Sequence, residues 1–105
     1  MRILFDQGTP SPLRRLLIGH SVETAFEKGW ATLDNGDLIS AAENASFELL
    51  VTTDQNLRYQ QNLKNRRIAL LVLPTTRWPQ IEAHASEIVA AIKMTKSGEY
   101  REVRW

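Results

Sequence analysis

The run Leu49-Leu50-Val51-Thr52-Thr53 constrains the fold most, because it is apolar or β-branched throughout and stops abruptly at Asp54. A short uninterrupted run of this kind, with a polar segment of helical character on each side, is typical of a strand covered on both faces, as in a parallel sheet. The stretch Arg2-Ile3-Leu4-Phe5 repeats the pattern and stops at Asp6. The sequence therefore predicts two buried strands that each deliver a carboxylate.

The remaining segments predict an α/β fold for a single domain, residues 1–105. Further strands are expected over 20–24 and 68–73. Helices are expected from Ser11, as N-cap, to Gly19, from the Asn35-Gly36-Asp37 turn to about Ser46, over a short polar stretch capped by Asp54 or Asn56, and from about Gln80 to Thr95. Strands and helices that alternate over short connections imply right-handed crossovers, so we expect three layers, with a mainly parallel sheet of about four to five strands between helices on both faces. Residues 93–105 are expected to form a peripheral tail or an edge strand.

Composition narrows the class of protein. A chain of 105 residues with 43% hydrophobic and 24% charged residues is typical of one globular domain. The formal charge of +1 argues against attachment to nucleic acid by bulk electrostatics. The absence of cysteine excludes disulfides and thiolate metal sites and suits a reducing cytoplasm. With no signal-peptide pattern, and with its longest apolar run only at 68–73, the chain is expected to be cytoplasmic and not membrane-bound.

Three carboxylates are expected to meet at one edge of this sheet. Asp6 and Asp54 leave the same edge if their strands are parallel, and the helix between them must run back antiparallel, which brings Asp37 in its first turn to that edge. Three ionised carboxylates need a cation, and oxygen ligands favour Mg²⁺ or Mn²⁺. Such a cation binds a phosphodiester and activates water, so this chemistry predicts hydrolytic cleavage of a nucleic acid. The candidate substrate-binding residues follow the same strands: Gln7, Gln55, Asn56 and Arg58.

Four segments carry a resemblance to a known family: Phe5-Asp6-Gln7-Gly8, Gly19-His20-Ser21-Val22, Asn35-Gly36-Asp37-Leu38 and the stretch from Thr53 to Leu63. They resemble the short bacterial PIN-like proteins, small uncharacterised domains related to the VapC-type toxin nucleases. The resemblance covers nearly the whole chain and implies a PIN-like fold, a Mg²⁺ or Mn²⁺ site and endoribonuclease activity. It also implies a small antitoxin-like protein as partner. An RNA substrate and a second copy of the chain are the other candidate partners.

The resemblance assigns the metal and catalytic roles to Asp6, Asp37 and Asp54. Many short relatives, however, carry acids where this chain has the amides Gln7 and Asn56. These amides favour an alternative function, an inactive PIN-like module that binds RNA or a protein partner. A third alternative is a phosphoacceptor domain similar to response-regulator receivers, with Asp54 as acceptor, although the chain lacks an acidic pair after the first strand and a lysine after the fourth.

Overall fold

The computed structural model of the chain describes residues 1–57, 63 and 66–105. Its strands are β1 (Arg2–Phe5), β2 (Ser21–Thr24), β3 (Leu49–Thr52), β4 (Ala69–Val72) and β5 (Tyr100–Glu102). They form one five-stranded sheet in the order β2-β1-β3-β4-β5, and all four pairings are parallel. The α/β prediction is therefore confirmed, and the chain's last strand lies at an edge of the sheet.

Helices cover both faces of this sheet. The described helical segments are a 3₁₀ helix (Ser11–Leu16), α1 (Asn35–Asn44), α2 (Trp78–Ala83) and α3 (Ala85–Met94). Successive strand residues point to opposite faces, so Ile3 and Phe5 pack in one core with the 3₁₀ helix, α2 and α3, whereas Leu4 packs in the other with α1. Every residue of β3 and β4 is buried, as expected of strands covered on both sides. None of the helices within the described ranges is long and apolar enough to cross a membrane.

The long helix expected over 80–95 is broken at His84, so that part of the prediction is wrong. His84 has φ −112° and ψ 23°, which is outside the helical region, and it separates α2 from α3. Its ring stacks on the indole of Trp105 with centroids 4.4 Å apart, and its Nδ1 lies 2.8 Å from Glu87 Oε1. These contacts hold the ring of His84 in place, and the apolar periodicity of the sequence carries no information about them.

The segment after β1 also differs from the prediction, because it is a 3₁₀ helix and not an α-helix capped by Ser11. The residue before the helix is Pro10, which has no capping side chain, and Pro12 has no backbone N–H to donate. The helix ends at Leu16, and Gly19 lies in the following turn with φ +87°. Pro10 and Pro12 thus begin a short, tightly wound helix. The short helix expected after Asp54 falls largely on 58–62, outside the described residues.

Glu43 connects α1 to β4 at the amino edge of the sheet. Its Oε2 accepts the backbone N–H groups of Arg67, at 2.5 Å, and of Ile68, at 3.2 Å, and its Oε1 lies 3.5 Å from a guanidinium nitrogen of Arg66. Partial burial raises the pKa of Glu43, but the two N–H groups and the nearby arginines outweigh it and lower that pKa below its ordinary value. Glu43 thus has a structural role far from the carboxyl edge, as its position along the helix indicates.

Candidate functional site

The strand order places a topological switch point between β1 and β3. From β1 the chain crosses to β2 on one side, and from α1 it returns to β3 on the other side. Ligands of open parallel sheets bind outside the carboxyl ends of the strands at such a point. Asp6 follows β1 directly, and Asp54 follows β3 after one intervening residue. The switch point therefore lies between the two acids on which the functional hypothesis depends.

A threonine hydroxyl connects these two acidic residues. The register pairs Phe5 with Val51, which brings Asp6 beside Thr52. The Thr52 side chain donates a hydrogen bond to Asp6 Oδ2 and accepts one from the backbone N–H of Asp54 at 3.1 Å. Thr52 is only 1% exposed, so its hydroxyl is satisfied by these residues and not by bulk water. Both acids thus have positions fixed by one buried group on β3.

The loop after β1 folds back onto the carboxylate that precedes it. Asp6 Oδ1 accepts the backbone N–H of Thr9 at 3.1 Å and the Thr9 hydroxyl at 2.7 Å. The same hydroxyl lies 3.0 Å from the carbonyl oxygen of Val51, so Thr9 also contacts β3. A Cβ at Gly8 would lie 2.6 Å from Thr53 Oγ1, so only glycine fits here without displacing that threonine side chain. The loop after β1 therefore packs directly against the end of β3.

Asp54 is held from two sides. Its Oδ1 accepts the backbone N–H of Asn56 at 2.9 Å, and its Oδ2 accepts the side-chain amide of Asn35 at 2.5 Å. Asn35 is the first residue of α1, so the first turn of that helix reaches the site as expected. It does so through Asn35, whereas the side chain of Asp37 is exposed and its backbone N–H donates to the N-cap residue Asp34.

The oxygen atoms of Asp6 and Asp54 suit a hard cation. An ionised carboxylate offers about four acceptor positions. Hydrogen bonds within the described part of the chain occupy three of these at Asp6 and two at Asp54, which leaves acceptor positions on both carboxylates. No group of three or more acidic or histidine side chains suited to a metal ion occurs among the described residues. A Mg²⁺ ion, however, commonly takes only one or two carboxylates and keeps several waters.

The candidate substrate-binding residues are found in three different settings. Gln7 is exposed and lines a cleft in front of Asp6. The Gln55 side-chain amide donates to the carbonyl oxygens of Leu73 and, at 3.2 Å, of Thr53, so it ties the ends of β3 and β4 together. Asn56 is exposed, and Arg58 lies outside the described residues.

The cleft in front of Asp6, called the Asp6 cleft below, is open to solvent and has a volume of about 650 Å³. The loops after β1, β2 and β4 form its walls, so it lies at the carboxyl edge of the sheet. Its lining residues carry polar side chains except at Gly8, Pro10 and Phe26. Phe26 is 75% exposed.

Sequence patterns did not single out Thr9, Thr52 or Asn35, which make most of the contacts to the two acids. Hydroxyl and amide residues beside Asp6 and Asp54 were the available signal, but only the strand register shows which of them touch the carboxylates. Comparison with protein-family models found no match, and comparison with curated proteins and with solved structures found no significant match.

Proposed function

We propose that this protein is a PIN-like, metal-dependent ribonuclease whose site lies between the carboxyl ends of β1 and β3. The observation that carries the proposal is the buried Thr52 hydroxyl, which bonds both Asp6 and the backbone of Asp54 at the switch point of the sheet. A turn residue in a solvated loop does not need its carboxylate fixed by three hydrogen bonds, as that of Asp6 is. Such fixed oxygen atoms are what a cation site requires.

Asp6 and Asp54 would hold a Mg²⁺ or Mn²⁺ ion. When bound, the ion would polarise a phosphodiester and lower the pKa of a water molecule. Thr9, Thr52 and Asn35 keep the carboxylates oriented, which lowers the reorganisation needed when charge develops. Gln7, exposed at the cleft, would donate its amide to a phosphate oxygen.

The first experiment is thermal unfolding during a titration with Mn²⁺. An ion that binds only the folded protein stabilises it by about 2.7 kcal/mol at 100 times its Kd, which for a domain of this size raises Tm by about 10 °C or more. We expect wild-type protein to show this increase and Asp6→Asn and Asp54→Asn to lose it.

The matched control is Glu82→Gln, which also removes one negative charge but lies exposed on α2, outside the site. Its response to Mn²⁺ should equal that of the wild type. Asp37→Asn tests the third predicted acid, since loss of the Tm increase with Mn²⁺ would mean that Asp37 contributes to binding of the ion. An unchanged Tm for the wild type across the titration would refute the metal site.

A second candidate function is favoured by the position taken by Asn35. An amide, and not a third acid, contacts Asp54, as expected of a module that binds RNA or a protein without cleaving it. Cleavage of RNA by the wild type that is lost in Asp54→Asn would support the nuclease. Tight binding without cleavage would support the module, and stable labelling of Asp54 by a small phosphodonor would support the phosphoacceptor alternative.

A further inference from the structure

We propose that the Asp6 cleft binds single-stranded RNA, with an unpaired base stacked on Phe26 and a neighbouring phosphate bound by Arg14 and Arg15. The inference rests on the proposed function, because it names the form of substrate that the same site takes. It depends on three observations: the hydrogen bonds that fix the turn carrying Phe26, the polar side chains among the cleft residues, and an arginine-lined recess adjacent to the cleft.

The side chain of Phe26 is exposed to solvent, and hydrogen bonds hold the turn that carries it. The backbone N–H of Thr24 donates to Glu27 Oε1 at 2.9 Å, and the backbone N–H of Glu27 donates back to the Thr24 hydroxyl at 3.1 Å. The N–H of Gly29 closes the turn on the carbonyl oxygen of Phe26 at 3.1 Å, while the adjacent Ala25 is buried. The phenyl ring is therefore presented by an ordered backbone, so a ligand need not order this turn.

The walls around the phenyl ring suit a nucleobase better than an apolar protein surface. The lining residues near Phe26 supply hydroxyl, amide and carboxylate groups, and the other apolar one is Pro10. A protein partner usually buries a continuous apolar patch, whereas a base offers a π-face for the ring and polar edges for the walls. Bases inside a duplex are already stacked, so only an unpaired base can lie on Phe26.

The arginine recess is a hollow of about 300 Å³ lined by Ser11, Pro12, Arg14 and Arg15. It shares Ser11 and Arg14 with the Asp6 cleft, so the two hollows are adjacent. Glu27 accepts two hydrogen bonds from the Arg14 guanidinium, at 2.7 and 3.2 Å, and thereby orients it. These hydrogen bonds, with that from the Thr24 backbone, lower the pKa of Glu27, so its ion pair with Arg14 persists to a lower pH than that of an ordinary glutamate.

Arg15 supplies the unneutralised charge of the recess. It is exposed on the 3₁₀ helix, and no residue in the described part of the chain forms an ion pair with it. A chain with a formal charge of only +1 has little general attraction for nucleic acid, so a local pair of arginines beside an aromatic ring is the more informative feature.

The test measures binding of a short fluorescently labelled single-stranded RNA by anisotropy, in EDTA so that no cleavage occurs. Because stacking on an aromatic ring is worth about 1–3 kcal/mol per base, Phe26→Ala should weaken binding by about fivefold to more than a hundredfold, and Phe26→Trp should restore it. The control is Ile18→Ala, since Ile18 is 90% exposed but lies outside the cleft, and it should bind as the wild type does.

Arg15 is tested by the salt dependence of binding. Arg15→Ala should lower the magnitude of the slope of log K against log salt by about 0.7, as loss of one phosphate contact with a single strand predicts. Arg104→Ala is the matched control, because Arg104 is exposed beyond β5, at the opposite side of the sheet from β2, and should leave the slope unchanged. Equal slopes for the two variants would remove Arg15 from the binding surface.

The outcomes separate this inference from the proposed function. Equal affinity of wild type and Phe26→Ala overturns the inference, as does tighter binding of duplex than of single strand or an equal loss in Ile18→Ala. If the Mn²⁺ response depends on Asp6 but Phe26→Ala binds normally, the metal site stands and the base site fails. If Phe26→Ala loses affinity but Mn²⁺ has no effect, the metal-dependent nuclease fails and the single-strand site stands.

Discussion

Replacement of Thr52 by valine tests the hydrogen-bonded core of the candidate site most directly. Valine has nearly the same shape as threonine, so Thr52→Val removes the hydroxyl without opening a cavity. The Asp6 carboxylate then loses a buried donor, and the backbone N–H of Asp54 loses its acceptor. A hydrogen bond to a charged group contributes about 1.5–3 kcal/mol, while the half-buried Asp54 can recover part of its loss from water.

The expected destabilisation is therefore about 2 kcal/mol, equivalent to a decrease in Tm of roughly 8–16 °C for a domain of this size. Urea unfolding followed by far-UV circular dichroism measures the free energy of unfolding. Thr52→Ser is the control, since it keeps both hydrogen bonds and loses only a buried methyl group, at a cost of about 1 kcal/mol. A double-mutant cycle with Asp6→Ala should give a coupling energy of at least 1 kcal/mol.

The reasoning would be refuted if Thr52→Val were as stable as Thr52→Ser or more stable, or if its effect were unchanged in the Asp6→Ala background. Either result would mean that the hydroxyl does not hold the Asp6 carboxylate in solution. The chain would then lack the fixed oxygen atoms on which the proposed function depends.

Two further predictions concern stability away from the site. The lowered pKa of Glu43 means that its contribution to stability is fully present above the ordinary glutamate pKa and is lost as pH falls through the lowered value. The stability difference between wild type and Glu43→Gln in urea unfolding should therefore shrink as pH falls from neutral through and below the ordinary glutamate range, and a constant difference would contradict the lowered pKa. Gly98→Ala should lower Tm more than Gly29→Ala does. Both glycines have positive φ, but only at Gly98 would a Cβ lie 2.8 Å from the carbonyl oxygen of Arg66. Equal Tm values for the two variants would argue against that contact.

The sequence predicted the strands better than the helices. Buried parallel strands are contiguous apolar runs, so the positions of β3 and β4 can be recognised from those runs in the sequence. Helix boundaries depend on backbone details that apolar spacing does not encode, as the break at His84 and the 3₁₀ helix before Leu17 show. The two helices that replace the long one nevertheless contribute to the same core, since Ile81, Ile88 and Ile92 all lie in it.

The candidate site was predictable to the level of strand ends and no further. Asp6 and Asp54 were found because acids after buried parallel strands must lie at one edge of the sheet. Their hydrogen-bond partners depend on register, since a shift of one residue would replace Thr52 by a neighbour on the opposite face. The contact of Asn35 with Asp54 depends on the start of α1, where Asn35 is the first helical residue after the N-cap Asp34.

The strand order also divides the molecule into two contiguous blocks. β1, β2 and β3 all come from residues 2–52 and lie side by side, and β4 and β5 come from the remainder and extend the sheet on one side. Across the sheet the blocks meet in a single ladder, β3 with β4, supported by the 3₁₀ helix against α2 and α3. Asp6 and Asp54 both precede β4 in the chain, so the candidate site has already been synthesised before the strands of the second block exist.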